Sequence, residues 1–407
     1  MSKIKKCRNC KKKKLIKLFS LGKLHFTGKF EKDGRKIKSG YLTLVICKHC
    51  KLVQLDRNFN LKYLYNKDYG YMSGINQTMR NHLKNVVEVA KKKVELKNGD
   101  NVLDVASNDG TLLNYYPKKR VVTVGVDPVL NKFKSNYNNI NYSFAKFFDL
   151  RILKHKIFKK KFKIISALSV FYDLENPNKF LRDVSKVLHP EGVFILEFAD
   201  LKSIIKNNIF DTICHEHLEY YSVFVIKKML KKHGLKIIDY KTNKINGGSS
   251  LFFISFENLK KKNLENKISK IIAKEIKLGL NNPRFYKKFF NNILKIGRTI
   301  KIKLDNEIDN KKIIHGYGAS TKGNVLIEFF KLKKYLKYIC DRNPKKVGLR
   351  TPGTNIKIIS EKRSRSLKPD YYFVLPWHFK KEILLREKKI RKTGTKFIFP
   401  LPKLKIH

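Results

Sequence analysis

Two Cys-x-x-Cys pairs near the start of this 407-residue chain constrain its fold more than any other feature. Cys7 and Cys10 form the first pair, and Cys47 and Cys50 form the second. Each pair fits a tight turn, and four thiolates close a tetrahedron around zinc with no open coordination position. The spacing therefore predicts a structural zinc site. His49 lies inside the second pair, and we expect it to be a bystander rather than a ligand.

After this segment the chain alternates strand and helix patterns, which is typical of a doubly wound α/β fold. We divide it into residues 1–60 (zinc-binding), 61–256 (α/β), 257–312 (a connector of one or two helices) and 313–407 (a second α/β pattern). In the first α/β part we predict strands at Asn101–Val105, Val121–Val126, Lys163–Leu168, Val193–Glu197, Lys236–Tyr240 and Ser250–Phe256. In the second we predict strands at Ile313–Tyr317, Lys337–Cys340, Tyr371–Leu375 and Lys396–Phe399.

Composition and hydropathy narrow the location and the partners. Lys and Arg number 91 against 33 Asp and Glu, a formal net charge of +58. These basic residues are spread along nearly the whole chain, whereas a dedicated nucleic-acid binder concentrates them in one stripe or arm. We therefore expect an anionic small substrate rather than nucleic acid. No apolar run of 18 residues and no secretory signal is present, which predicts a cytoplasmic protein without a membrane span.

A loop after the first predicted strand of the α/β part has the character of a nucleotide-binding turn. The segment Val102–Gly110 runs from a strand through small and polar residues to a helix that we expect to begin near Thr111. It lacks the G-x-G-x-x-G fingerprint, which disfavours a nicotinamide dinucleotide. Asp127 ends the next strand and is placed to accept hydrogen bonds from both hydroxyls of a ribose. Strand, loop and acid together indicate an S-adenosylmethionine (SAM) fold; the structural alternative is a plain strand–turn–helix in which Asp127, beside Pro128, caps the following segment.

Histidines, acids and tyrosines are concentrated in the segment Asp211–Ser222. General acid–base catalysis needs such groups close together, with a neutral imidazole oriented by a neighbour. His215 and His217 are two positions apart, so on a strand they would share one face. A metal site would require a third ligand, and the neighbouring sequence offers none. The segment therefore predicts an acid–base site.

Ordered motifs along nearly the whole chain resemble one family, the sugar C-methyltransferases of deoxysugar and surface-polysaccharide pathways. Besides the four cysteines, the matching pieces are Tyr69–Gly74, Ser107–Gly110, His215–His217, Asn246–Ser249, Gly316–Ala319 with Lys322–Asn324, Asp341–Pro344, Thr351–Gly353 and Pro376–Trp377. The resemblance implies a small N-terminal zinc domain, a class I SAM-dependent methyltransferase core with a Rossmann-like α/β fold, and a C-terminal Rossmann-like domain. It also implies that SAM methylates a carbon beside the keto group of a nucleotide-diphosphate sugar.

The resemblance assigns roles residue by residue. His217 looks like the base that removes the proton beside the keto group, with Glu216 assisting and with His215 and Cys214 next to them. For SAM it implies contacts from Asp104, Ala106, Asn108, Asp109, Gly110, Asp127, Pro128 and Phe147. For the substrate it implies contacts from Tyr69, Tyr71, Ser73, Asn246, Gly247, Gly248, Ser249, Gly318, Lys322, Asn324 and Arg342.

Several of these assignments have structural alternatives. Asn246–Ser249 is also a good hairpin turn, and Tyr69 and Tyr71 would serve equally as core residues. Gly316-x-Gly318 would cradle a diphosphate, with Lys322 as its counter-charge. Two departures from the family pattern concern the oxyanion arrangement: Cys214 stands where a tyrosine is typical, and Tyr172 and Asp173 occupy the segment in which a histidine is often found.

Three other functions compete with carbon methylation. The nearest is SAM-dependent O-methylation of a sugar hydroxyl, because the same base deprotonates an alcohol. A nucleotide-sugar oxidoreductase or epimerase would need a dinucleotide fingerprint, which neither half carries. A zinc-containing nucleic-acid methyltransferase would need motifs for handling a flipped base, which are missing too. We expect a monomer or a weak homo-oligomer.

Overall fold

The N-terminal part of the protein is built from short antiparallel strands. The structure, a computed structural model, describes residues 2–32, 37–65, 69–149, 152–259 and 264–407. The first strands are β1 (Ser2–Lys3), β2 (Leu15–His25), β3 (Ser39–Cys47), β4 (Val53–Leu55) and β5 (Arg57–Asn58), followed by helix α1 (Leu61–Leu64). Strands β2, β3 and β4 pair antiparallel, and β1 pairs with β5.

A seven-stranded sheet forms the middle of the chain. The strands of this part are β6 (Asp100–Val105), β7 (Val121–Val126), β8 (Tyr142–Phe144), β9 (Phe162–Leu168), β10 (Leu188–Ala199), β11 (Glu219–Tyr220), β12 (Leu235–Asn243) and β13 (Ser249–Phe256). The helices are α2 (Gln77–Lys91), α3 (Pro177–Val187), α4 (Leu201–Lys206) and α5 (Val223–Lys231). All strands except β11 form one sheet in the order β12-β13-β10-β9-β6-β7-β8. Strand β13 runs antiparallel to both of its neighbours, β10 and β12, and every other pair in the sheet is parallel. This arrangement confirms the class I methyltransferase core.

All six strands predicted for this sheet are present, because each is an apolar run buried in the sheet. Ile164 and Ile165 in β9, for example, have no exposed side-chain surface. The short strand β8 was not predicted, since three residues with partly exposed side chains give no such signal. The helix expected near Thr111 is wrong: this segment is a turn followed by one 3-10 turn, Leu113–Tyr115. The 3-10 turn does not continue as a helix, because Pro117 restricts the residue before it, Tyr116, to extended backbone.

Strand β11 joins the N-terminal sheet instead of the methyltransferase sheet. It pairs antiparallel with β4, and the backbone amide of Leu55 donates to the carbonyl of Leu218 at 2.8 Å. The segment that precedes β11 contains His215–His217. The zinc-binding domain therefore fixes the backbone on which the histidines lie.

Two helices and a second parallel sheet complete the fold. Helices α6 (Glu265–Leu278) and α7 (Pro283–Asp309) confirm the helical connector. The remaining elements are β14 (Ile314–Tyr317), α8 (Thr321–Phe329), β15 (Ile339–Asp341), β16 (Ile358–Ser360), α9 (Glu361–Ser366), β17 (Tyr371–Val374), α10 (Lys380–Arg386), α11 (Lys388–Lys392), β18 (Lys396–Phe399) and β19 (Lys405–Ile406). The strand order is β16-β15-β14-β17-β18-β19, parallel except for β19.

This order confirms the four strands predicted for the C-terminal part, and it adds β16 and β19. The domain boundaries themselves stay a prediction. Among the described helices, none is long and apolar enough to cross a bilayer.

Candidate active site

A cavity of about 570 Å³ lies where the two sheets meet. On the methyltransferase side its wall includes residues just past β6, β7 and β9, namely Asn108, Asp127 and Ser169. On the C-terminal side Gly318 follows β14 and Arg342 follows β15. Open α/β sheets bind ligands outside the carboxyl ends of their strands. Here two such edges face one shared cavity, which makes it the candidate active site.

The four N-terminal cysteines converge away from this cavity. Their sulfur atoms all lie within 4.8 Å of one another. Cys7 lies 3.5 Å from Cys50 and Cys10 lies 3.5 Å from Cys47, sulfur to sulfur, so the two turns interlock. Gln54 donates to the Cys7 sulfur at 3.2 Å, which is a hydrogen bond suited to a thiolate. The set fits a four-coordinate structural zinc, and the exposed His49 lies outside it.

The loop after β6 is shaped by three left-handed residues. Ala106 has φ 61°, Asn108 has φ 50° and Gly110 has φ 73°. A side chain at Gly110 would collide with Ile140, since an added Cβ would lie 2.8 Å from its Cδ1. This conformation turns the Ala106 and Asn108 positions toward the cavity, where both form part of the wall.

Asp127 lies at the tip of β7, as predicted, and its carboxylate holds the loop. Its Oδ2 accepts from the Asn108 amide at 2.9 Å, and its Oδ1 accepts from the Val129 amide at 2.7 Å. Asp127 therefore caps the segment after β7, as the structural alternative predicted. Each carboxylate oxygen has a second lone pair, so these two bonds leave capacity to accept further hydrogen bonds from the cavity side. Pro128 and Phe147 line the cavity beside it.

Three of the residues predicted for SAM lie behind the wall rather than in it. Asp104 accepts from the Ser166 hydroxyl at 2.5 Å, and burial raises the pKa of its carboxyl to about 7. Asp109 accepts from the Gly74 amide at 2.8 Å, which ties the Tyr69–Gly74 segment to the loop. Gly110 is likewise absent from the wall. These residues shape the loop in this structure and do not border the cavity.

His217 borders the cavity with a defined tautomer. Its Nδ1 lies 2.7 Å from the Thr212 carbonyl oxygen, which only accepts, so Nδ1 carries the proton. Nε2 is therefore the nitrogen with a free lone pair. The Tyr172 ring, also in the wall, lies 4.2 Å from the imidazole, centroid to centroid. Burial, together with the charge of Lys322, lowers the pKa of His217 to about 3.

His215 points in another direction, so the expectation of a shared face is wrong. Residues 214–218 form a turn rather than a strand. The His215 ring packs against Phe26 and Phe59, and its Nε2 lies 3.2 Å from the Gly40 carbonyl oxygen. His215 has no exposed surface and is not part of the cavity wall. Its contacts attach the turn to the zinc-binding domain.

Glu216 borders the cavity, whereas Cys214 does not. The Thr27 hydroxyl donates to Glu216 Oε2 at 3.3 Å, and Gly28 lies so close that an added Cβ would sit 2.6 Å from Oε1. Burial raises the pKa of Glu216 and raises the pKa of the Cys214 thiol well above its usual value. The glutamate thus depends on a close backbone approach by the zinc-binding domain.

The predicted substrate residues divide into two groups. Those that line the cavity are Tyr69, Tyr71, Ser73, Asn246, Gly318, Lys322 and Arg342. Those that do not are Gly247, Gly248, Ser249 and Asn324. Asn246–Ser249 forms the hairpin turn between β12 and β13, which bears out the structural alternative. Asn324 is buried and donates to the Thr27 carbonyl at 2.7 Å, which links helix α8 to the zinc-binding domain.

Several wall residues carry no motif and were missed by the sequence reasoning. His378 lies in the wall, and its Nδ1 is buried without a hydrogen-bond partner among the described residues. Glu197 bridges His82 Nε2 at 2.8 Å and Asn243 Nδ2 at 2.5 Å. The only signal for Glu197 was its place at the end of a predicted strand.

Asp173 also lies in the wall, and its partner is another residue that the sequence reasoning did not single out. The Tyr65 hydroxyl donates to Asp173 Oδ2 at 2.7 Å, while Oδ1 is buried without a partner among the described residues. Burial raises the pKa of Asp173 well above its usual value. Asp173, which lies in the segment where the family often has a histidine, therefore adds another protonatable acid to the wall.

Comparison with known proteins agrees with this arrangement. Three family models match in order: a zinc binding domain over residues 7–65, a methyltransferase domain over 76–240 and a C-methyltransferase C-terminal domain over 244–402. The chain is 26% identical over 412 residues to the C-methyltransferase NovU of Streptomyces niveus, covering 99% of this chain and 97% of that protein.

Solved structures resemble the methyltransferase part at low similarity. A SAM-dependent methyltransferase from Clostridium acetobutylicum is 16% identical, with a TM-score of 0.36 over 45% of this chain and 93% of its own. The protein PH0226 from Pyrococcus horikoshii is 20% identical, with a TM-score of 0.36 over 49% and 100%. At such scores the fold assignment rests on strand order and the family models. The chain is a SAM-dependent methyltransferase that matches, in order, the models of a zinc binding domain, a methyltransferase domain and a C-methyltransferase C-terminal domain.

Proposed function

We propose that the enzyme methylates a carbon beside the keto group of a nucleotide-linked sugar, with His217 as the general base. The observation that carries this proposal is the tautomer of His217, whose Nδ1 proton is held by the Thr212 carbonyl at 2.7 Å. Nε2 is then the acceptor at the cavity. A hydrogen beside a carbonyl is the most acidic C–H of a sugar, so a positioned imidazole suits it.

Several side chains would hold the two ligands. Asp127 and the loop around Asn108 would hold the ribose of SAM, which supplies an electrophilic methyl group when bound. On the opposite side, Lys346 donates to the Ala319 carbonyl at 2.6 Å, beside the Gly318 turn. Arg342 also lies in that wall. Cationic side chains there favour an anionic ligand such as a diphosphate.

Within this proposal Glu216 and Tyr172 have supporting roles. Glu216 is adjacent to the base along the chain and lines the cavity, so its carboxyl contacts the substrate or the departing proton. The Tyr172 ring packs against the imidazole at an interplanar angle of 53° and limits its rotation. The resemblance to sugar C-methyltransferases and the match to a C-methyltransferase C-terminal domain support carbon as the acceptor. Methylation of a sugar hydroxyl is the alternative that the experiment separates.

Incubation with a panel of 4-keto nucleotide sugars and a labelled methyl donor tests the proposal, with the products read by mass spectrometry. We expect a methyl group on the carbon beside the ketone. In heavy water with S-adenosylhomocysteine, the wild type should also exchange deuterium into that position. A methylated hydroxyl without deuterium exchange would replace the proposal by O-methylation.

A further inference from the structure

We propose that the ammonium group of Lys322 stabilises the enolate oxygen that forms when His217 removes the proton. This assignment rests on the proposed function and extends it to a further catalytic residue. It also moves Lys322 away from the diphosphate role that its motif suggested. Three observations support it: the contact of its ammonium, the packing of its helix, and its effect on the neighbouring imidazoles.

The contact places the lysine beside the hairpin turn rather than beside the Gly318 turn. Its Nζ donates to the Asn246 carbonyl at 2.8 Å. Asn246 in turn donates to the Ser169 hydroxyl at 3.2 Å, and Ser169 follows strand β9 on the methyltransferase side. Lys322 belongs to the C-terminal domain, yet its charged end reaches across the cavity to the wall that carries the base.

The packing of α8 explains why the lysine reaches this place. Lys322 lies in the first turn of α8, and α8 packs against the 3-10 turn Phe210–Thr212. Thr212 supplies the carbonyl that holds His217. Within the same turn Asp211 accepts from the indole nitrogen of Trp377 at 2.8 Å. The lysine, the base and the residue that orients the base are therefore held by one packed unit.

The electrostatic effects agree with a cation close to the base. After burial, Lys322 is the main cause that lowers the pKa of both His217 and His378. Burial lowers the pKa of Lys322, and the charge of Asp211 acts in the opposite sense. Lys322 forms no direct hydrogen bond with Asp211, since Asp211 Oδ2 accepts from Trp377 and its Oδ1 has no hydrogen-bond partner among the described residues. A half-buried cation at the cavity is suited to a charge that appears during the reaction.

Proton removal and methyl transfer are two successive steps in this proposal. His217 Nε2 takes the proton, and the C–H electron pair becomes the C=C bond of the enolate while the carbonyl π pair moves to oxygen. That oxygen receives a hydrogen bond from the Lys322 ammonium. The enolate carbon next bonds to the methyl carbon, the methyl–sulfur bond breaks with its pair staying on sulfur, and the C=O bond is restored. The proton leaves His217 for solvent.

Lys322→Met tests the assignment, and Lys346→Met is the matched control. Lys346 is also a cavity-lining lysine bonded to a backbone carbonyl, but its carboxylate neighbour is Asp341, 3.7 Å away, rather than a group next to the base. With dTDP-4-keto-6-deoxyglucose as the probe, we expect Lys322→Met to lose about 10²–10³-fold in kcat. Deuterium exchange with S-adenosylhomocysteine should fall in parallel. Lys346→Met should instead raise KM and keep exchange at saturating substrate.

Calorimetric binding of S-adenosylhomocysteine checks that each variant is folded, and Lys322→Arg should restore part of the exchange. A second readout is the pKa of His217, which should rise in Lys322→Met because a neighbouring cation is gone. Exchange in Lys322→Met at the wild-type rate would overturn the assignment while leaving the proposed function intact. Absence of exchange in the wild type, together with a methylated hydroxyl, would overturn both.

Discussion

The two walls of the cavity differ in charge, and the difference runs against the composition of the chain. On the methyltransferase side, residues 61–256 contribute seven acidic side chains and two lysines to the wall. The acids are Asp127, Asp149, Asp173, Glu175, Asp183, Glu197 and Glu216. On the C-terminal side four basic residues, Lys322, Arg342, Lys346 and Arg386, stand with three acids. A protein with a formal charge of +58 thus lines one side of its cavity mainly with carboxyl groups, although burial raises the pKa of Asp173 and of Glu216.

The net charge of the chain therefore does not describe the charge of its cavity. An acidic wall suits a sulfonium and an ammonium, the two cationic groups of SAM. A basic wall suits a phosphorylated ligand. The acidic wall thus matches SAM, and the basic wall matches the nucleotide sugar of the proposed reaction. The proposed base, His217, lies on the acidic side, and the Lys322 ammonium approaches it from the other side.

Zinc removal should have the largest effect on turnover, because the zinc-binding domain supports the wall that carries the base. The opposite wall does not depend on this support. The turn that carries Glu216 and His217 is held by the N-terminal sheet through Thr27 and Leu55. A structural zinc contributes about 10 kcal/mol or more to the domain that binds it. We expect chelation to lower the melting temperature and to abolish turnover, while affinity for a nucleoside diphosphate on the basic wall persists. Metal analysis of the purified protein provides the starting value.

Full activity in a zinc-free preparation would show that the N-terminal sheet does not position the base. The variant Cys47→Ser provides an independent route to the same state, without a chelator that binds other metals. Its zinc content and its melting temperature should fall together.

His217→Asn should give the next largest effect, confined to the chemical step. A positioned base contributes about 10²–10⁴-fold, so kcat should fall by that factor. Affinity for S-adenosylhomocysteine should stay within about a factor of two, because the proposal assigns that ligand to Asp127 and Asn108 rather than to His217. His215→Asn is the matched control: it should reduce stability, with smaller effects on turnover in the folded protein. A reversed pattern would exchange the roles of the two histidines.

Asp127→Asn tests the acidic wall directly. The substitution keeps the shape of the side chain and removes the charge that would accept from both ribose hydroxyls. Loss of such charge-assisted bonds costs about 1–3 kcal/mol. Calorimetry should show that weakening for S-adenosylhomocysteine and no change for a nucleoside diphosphate. Because Asp127 also accepts from the Asn108 and Val129 amides, the melting temperature must be measured alongside.

The fold was largely predictable from the sequence because its signals are local. Buried parallel strands appear as apolar runs, and four thiolates with this spacing leave few alternatives to zinc. The orientation of His215 was not predictable, since it depends on β11 pairing with a strand more than 160 residues earlier. His378 and Glu197 were missed because a cavity between two sheets is formed by residues distant in sequence. Lys322 was found by its motif, but its direction depends on how α8 packs.

Lys346→Met tests the basic wall and should have a smaller effect than Asp127→Asn. Lys346 is a point charge beside the Gly318 turn, and Arg342 remains in the same wall after the substitution. We expect KM for the nucleotide sugar to rise by a factor of about ten, or about 1.4 kcal/mol, with kcat nearly unchanged. The increase should shrink at high salt, because screening reduces the wild-type advantage. An unchanged KM would remove Lys346 from the anion site.

The smallest expected effect concerns pH, and it tests whether the two walls influence each other. Burial and Lys322 lower the pKa of His217 to about 3, from an ordinary value of 6.5. The base is therefore neutral in the folded enzyme between pH 5 and 8, and its protonation should not limit kcat/KM there. The unfolded chain protonates this histidine below pH 6.5, so His217 contributes a loss of stability as pH falls from 6.5 toward 3. NMR of histidine-labelled protein, with His217→Asn to assign the resonance, should show a neutral imidazole at pH 5. A midpoint near 6.5 would mean that the ring is solvated and that Lys322 lies too far away to act on it, and the two walls would then work independently.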